Sequence, residues 1–188
     1  SNVIDFIDIT STGNATDFGN LSSVKRSSAS VSSAIRAVVG GGSVGSSFVN
    51  VMEYVTIAST GDVTDFGDLT DTSQEGTGTS NDTRGLFQLG LTSASSTSDV
   101  INYITIASTG NAQDFGDLTQ GRAYGQDSAL SSPTRGVFGG GFTSSEVNTI
   151  DYVTIASAGN ATDFGDLTVS RYGMGGASSS TRGVFGGG

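Results

Sequence analysis

The feature that most constrains this chain is a block of 16 residues written four times. It reads FIDITSTGNATDFGNL from Phe6, YVTIASTGDVTDFGDL from Tyr54, YITIASTGNAQDFGDL from Tyr103 and YVTIASAGNATDFGDL from Tyr152, at steps of 48, 49 and 49 residues. A second block alternates with it: AIRAVVGGG at Arg36, TRGLFQLG at Arg84, and TRGVFGGG at Arg135 and again at Arg182. Its Arg follows the Leu that closes the first block (Leu21, Leu69, Leu118, Leu167) by 15, 15, 17 and 15 residues. A period of this length means that one supersecondary unit recurs and buries its apolar face against its neighbours. Residues 1–188 therefore read as a single repeat domain, with blocks starting near residues 6, 54, 103 and 152.

Within a unit the apolar residues alternate with polar ones, the period of a strand. Val147 to Ala156 is rich in β-branched and aromatic residues, which suit a pleated surface, and turn formers flank it. Further short strands fit Gly183 to Phe185, Asp163 to Leu167, and a variable Ser-rich stretch within Arg171 to Ser180. Gly and β-branched residues interrupt every helical window, so the chain reads as all-β. Gly, Ser and Thr supply 82 of the 188 residues, a share that would suit disorder were the apolar 35% not so regularly placed.

Composition removes whole classes of chemistry. Without His or Cys there is no zinc finger, thiol nucleophile, disulfide framework or Ser-His-Asp triad. A net charge of −10 and a single Lys, Lys25, argue against phosphate-led binding of nucleic acid or anionic membrane. No apolar run approaches the roughly 20 residues that a spanning helix needs. A first residue that is Ser points to a processed product or part of a longer polypeptide.

Three or four short strands per unit match the arithmetic of a propeller blade. The order of double glycine (Gly139-Gly140, Gly186-Gly187), tyrosine (Tyr152) and a later aromatic (Phe164) resembles the kelch repeat. Phe18, Phe66, Phe115 and Phe164 stand where kelch has tryptophan. The resemblance implies a β-propeller of four kelch-like blades of about 48 residues. The chain opens partway through a unit and stops at the piece that should precede it, so we expect the N- and C-terminal strands to pair and close the ring. The alternatives are a slice of a longer array, or two chains that together complete eight blades.

Several motifs invite a chemical reading. The triplet DFG at Asp17, Asp65, Asp114 and Asp163 lacks the lysine and catalytic loop of a kinase, so it is expected to anchor each blade through its Phe. In that reading the Gly turns the chain and the Asp caps backbone amides. Asx residues at steps of three could supply oxygen ligands for calcium, best in Asp62, Asp65 and Asp68. Bland turn formation is the competing reading there. Glycine runs at 40–42, 139–141 and 186–188 lack the GK[ST] ending of a phosphate loop. Arg36, Arg84, Arg135 and Arg182 share one unit position and could form a circle that binds carboxylates or anionic glycans; the expectation is that each pairs with a repeating Asp. Asn14, Asn20, Asn81 and Asn160 match N-x-[ST], as expected in a Ser/Thr-rich chain. The non-repeating acids Glu53, Asp71, Glu75, Asp99, Asp127 and Glu146 make no evident catalytic pair, so no enzyme, cofactor or resident metal is expected.

The wording STGNATDFGDL with TRGVFGGG also resembles kelch-like repeats of tailed-bacteriophage virion proteins. That resemblance implies a structural or adhesive module of a tail fibre, appendage or capsid decoration, on a virion surface, contacting host glycan or neighbouring subunits. The alternative is a secreted extracellular protein of a microbe that builds a filament or matrix, with matrix subunits as partners. Neither nucleic acid nor membrane is an expected partner.

Overall fold

A computed structural model describes residues 1–93, 96–125 and 127–188. Among them every regular element is a strand, as the alternating pattern predicts, and each pairs antiparallel with its sheet neighbours. Three units are complete. The first holds β3 (Ala29–Ser32), β4 (Arg36–Gly40), β5 (Ser43–Val44), β6 (Ser47–Thr56) and β7 (Thr64–Gln74). The second holds β8 (Thr77–Ser80), β9 (Arg84–Gln88), β10 (Leu91–Thr92), β11 (Val100–Thr105) and β12 (Gln113–Asp117). The third holds β13 (Ala129–Ser131), β14 (Arg135–Gly139), β15 (Thr149–Thr154) and β16 (Thr162–Asp166). Their four main strands run in the orders β3-β4-β6-β7, β8-β9-β11-β12 and β13-β14-β15-β16. The short β5 pairs with β6, and β10 joins the long end of β7.

The two remaining pieces are halves of such a unit. β1 (Val3–Phe6) with β2 (Thr16–Asn20) corresponds to β15–β16, and β17 (Met174–Ser178) with β18 (Gly183–Gly187) corresponds to β13–β14. Here the structure corrects an expectation: the terminal strands do not close a ring. Each half forms its own two-stranded sheet, leaving one edge of β1 and one edge of β18 unpaired. The fourth unit is present as two complementary halves that do not pair with each other.

The DFG triplet is explained by a bulge that recurs at the same place in every unit. Register slips between Ile4 and Asp5, Met52 and Glu53, Ile101 and Asn102, and Ile150 and Asp151. In the third unit Ile150 faces Gly165 and Asp151 faces Asp163, so Phe164 is the extra residue left without a partner. A bulge re-aims its side chain and accentuates local twist, and the ejected Phe meets the unit's Tyr edge-on. Ring centroids lie 5.9 Å apart in Tyr54–Phe66, Tyr103–Phe115 and Tyr152–Phe164. The glycine therefore serves a bulge inside a strand, where a turn was expected, and it adopts φ of +149°, +136°, +139° and +129° along the chain, a region side chains avoid. The Asp does cap an amide as expected: Asp114 and Asp163 accept from the nitrogens of Gly116 and Gly165 at 3.1 and 3.0 Å.

The core lies between successive sheets. One cluster joins Val38, Met52 and Phe66 of the first unit to Phe87, Ile104 and Ile106 of the second. Another joins Leu86, Ile101 and Phe115 of the second to Phe138, Val153 and Ile155 of the third. Phe164, expected in such a core, is the exception at 55% exposed, against 2% for Phe66 and Phe115. The unit that should cover it is only half there.

Candidate functional site

The residues that carry chemistry converge on the contacts between units. Arg36, Arg84 and Arg135 each lay the guanidinium over the Tyr of their own unit, 4.5, 4.6 and 4.6 Å from the ring centroids of Tyr54, Tyr103 and Tyr152. A planar, weakly hydrated cation suits that seat. Two of them also reach forward into the next unit: Arg36 Nη1 donates to the Ile106 carbonyl at 3.1 Å, and Arg84 Nη1 to that of Ile155 at 2.9 Å. The expected pairing of these arginines with repeating Asp is thus replaced by an aromatic and a carbonyl. Arg182, the residue before β18, has no ring beneath it among the described residues.

The repeating Asx residues are occupied by a second ladder. Asp62 Oδ1 accepts from the backbone and side-chain nitrogens of Asn20 at 2.9 and 3.2 Å. Asn111 Oδ1 accepts from Asp68 N at 3.0 Å, and Asn160 Oδ1 from Asp117 N at 3.1 Å. Backbone bonds of 2.7 Å from the nitrogens of Gly61, Gly110 and Gly159 to the carbonyls of Phe18, Phe66 and Phe115 run beside them. Of the calcium candidates, Asp62 thus turns to the preceding unit, the Asp68 backbone to the following one, and Asp65 pairs in register with Glu53. Among the described residues no group of three acidic side chains gathers as a metal site would require.

Two buried ion pairs lie outside the sequence expectations, which name Lys25 and Glu53 but not as partners, and do not name Arg122 or Asp151. Lys25 Nζ lies 2.6 Å from Glu53 Oε2, and Arg122 Nη1 lies 2.8 Å from Asp151 Oδ2, all four side chains being buried. Burial pushes the Glu53 carboxyl up, but the Lys25 hydrogen bond and charge, with Ser22, outweigh it and hold the group below its ordinary value. Burial lowers the Arg122 guanidinium against the opposing pull of Asp151. Repeat alignment places Lys25, Ser73, Arg122 and Arg171 at one position, each four residues after the closing Leu, and Asp5, Glu53, Asn102 and Asp151 at another. Each pair joins a connecting segment to the sheet that follows. Where the second unit offers Asn102, its carbonyl accepts instead from Thr70, through the nitrogen at 2.8 Å and the hydroxyl at 2.9 Å. The covariation of charge between aligned positions was the signal available in the sequence.

The first strands of the units line a groove of about 550 Å³ edged by Ser28, Ser30, Thr77, Gly78, Ala129 and Gly176. A second, more apolar groove of about 460 Å³ lies against the third unit and contains Leu130, Arg135, Val137, Ile150, Phe164 and Phe185. A scan of the chain against protein-family models finds no match, and a search of curated proteins finds none either.

Proposed function

We propose that this chain is a non-enzymatic structural and adhesive module of a virion surface, built from kelch-like propeller blades and working as part of a tail fibre, appendage or capsid decoration. The observation that carries the reading is where the polar chemistry is spent. The repeating Arg, Asn and Asp residues, and the two buried ion pairs, bind one unit to the next. A catalytic constellation instead concentrates perturbed groups at one cleft. The blade reading is supported by units of four antiparallel strands whose first strands border one groove, as strands near a propeller axis would. Outward faces rich in Ser and Thr suit contact with glycan or with neighbouring subunits.

Antibody raised against residues 1–188 tests the assignment on material from the source organism. Gold label on tailed particles in electron micrographs is the expected result. Label confined to cell-free filaments or matrix would overturn it in favour of an extracellular structural protein. Binding of the purified chain to host-surface polysaccharide, measured by glycan array, tests the adhesive part separately.

A further inference from the structure

We propose that the open C-terminal face of the chain receives the β1–β2 hairpin of a second copy, so that copies join head to tail and complete the split blade between them. This names one of the neighbouring subunits in the structural reading above and rests on that reading.

Several contacts made between complete units have their two halves left without a partner at the two ends. In complete sheets Arg135 faces Thr154 and Val137 faces Tyr152. The same register would set Arg182 opposite Asp8 and Val184 opposite Phe6 of the second copy. Arg182 would then gain the ring it lacks, and Phe6 the guanidinium it lacks. A Cβ on Gly67 or Gly116 would lie 2.5 Å from the carbonyl group of Gly110 or Gly159, whereas around Gly165 there is open space. Gly13 is the first copy of that turn glycine and Gly165 the last of the bulge series, so each is missing its counterpart.

Burial reports the same vacancy. The aligned isoleucines Ile9, Ile57, Ile106 and Ile155 are 92%, 47%, 1% and 0% exposed, following whether none, half or all of a preceding unit stands before them. Phe66 packs in a cluster with Ile104, Ile106 and Ala112, and Phe115 with Val153, Ile155 and Ala161. The aligned trio at the N-terminus is Ile7, Ile9 and Ala15, all exposed, and the groove around Phe164 is the space it would fill.

Charge selects the occupant. Lys25 pairs with Glu53 and Arg122 with Asp151, whereas the aligned Arg171 has no carboxylate partner among the described residues. Its Nη1 donates to the Gly187 carbonyl at 2.9 Å, and its Nε is buried without a hydrogen-bond partner. The residue that alignment delivers to it is Asp5 of the incoming hairpin, exposed on β1. An unrelated strand would pair with the β18 edge but would bring no carboxylate to this position. A head-to-tail contact of this kind is heterologous, and closes into a ring or extends into a filament according to its rotation.

Sedimentation velocity on the 188-residue chain should show mass rising with concentration to a dimer or beyond; a monomer at every concentration overturns the proposal. Arg171→Asp alone and Asp5→Arg alone should each weaken association more than about a hundredfold, because like charges then meet at the joint. Mixing the two variants should restore it. Failure of the mixture to associate would mean that Asp5 and Arg171 do not meet across the joint, and overturns the proposal. Because the chain lacks Cys, a Phe6→Cys, Val184→Cys variant gives an independent reading: oxidation should yield chains linked end to end, and a disulfide within one chain overturns the idea. A strictly monomeric chain that still labels virions or binds glycan would sink this inference while leaving the proposed function intact.

Discussion

At the scale of single residues, the same letter in four repeats does different work according to what stands next to it. Phe66→Ala or Phe115→Ala empties a site shared by two sheets and should cost about 3–5 kcal/mol. Phe164→Ala, at a half-covered position, should cost the isolated chain less than about 1 kcal/mol of stability. Chemical denaturation of the three variants at low protein concentration checks the contrast. Lys25 and Glu53 give a second test, with a definite sign. A carboxyl held below its ordinary value in the fold stabilises the protein at neutral pH, and that contribution fades as pH falls through the folded value. Lys25→Met leaves Glu53 buried with its cation gone, raising its affinity for a proton above that in the unfolded chain. Breaking the pair should cost about 3–5 kcal/mol at neutral pH, and part of that loss should return on mild acidification, opposite to the trend set by this group in the parent. Urea melts across the acid range decide between the two signs.

At the scale of the element, the link between sheets is an Arg that stacks on its own Tyr and donates to the next unit's backbone. Arg84→Ala removes the stack at 4.6 Å and the bond to Ile155 at 2.9 Å together, for a loss of about 1–3 kcal/mol. Arg84→Lys should recover only part of it, since an ammonium offers no plane to lie over the ring. Arg182→Ala should leave the melting temperature of the dilute chain unchanged, as no ring lies beneath that guanidinium among the described residues. These elements were legible in the sequence to different depths. Period-two alternation placed strands within a few residues of Thr149–Thr154, Thr162–Asp166, Met174–Ser178 and Gly183–Gly187. Repeat spacing likewise placed Arg36, Arg84 and Arg135 at one unit position. The bulge was not legible, because DFG reads equally well as a turn, and only the pairing of Asp151 with Asp163 shows Phe164 to be the residue left over. The partners of Arg36, Arg84 and Arg135 also differ from the expectation: with 18 acids in the chain a carboxylate looks the natural choice, but each guanidinium lies over the Tyr of the neighbouring strand. The Arg122–Asp151 pair needed the two aligned columns to be compared with each other, since neither residue recurs unchanged in every unit.

At the scale of the whole molecule, stability in a repeat array is approximately a sum of each unit's own stability and its contacts with neighbours. The three complete units each have a full four-stranded core sheet and at least one complete neighbour, whereas β1–β2 and β17–β18 are two-stranded and flanked on one side. A two-stranded sheet is marginal in water, so the ends should open at the smallest free energy. Hydrogen exchange at low protein concentration should show the amides of β1 and β18 exchanging fastest among the strands, with those of β9, β11 and β14 slowest. Raising concentration should then protect a defined set of amides if the split blade is completed between copies. Gly13 N, aligned with the nitrogens of Gly61, Gly110 and Gly159, should slow, as should the ladder amides along the free edges of β1 and β18. Protection should appear at both ends with the same concentration dependence, because one joint satisfies both. Protection at one end alone, or spread evenly over the chain, would point to a contact other than the completed blade. Phe164→Ala carries the argument back to the residue: nearly silent in the dilute chain, it should weaken this concentration-dependent protection, because the ring it removes forms the floor of the groove that the second copy fills.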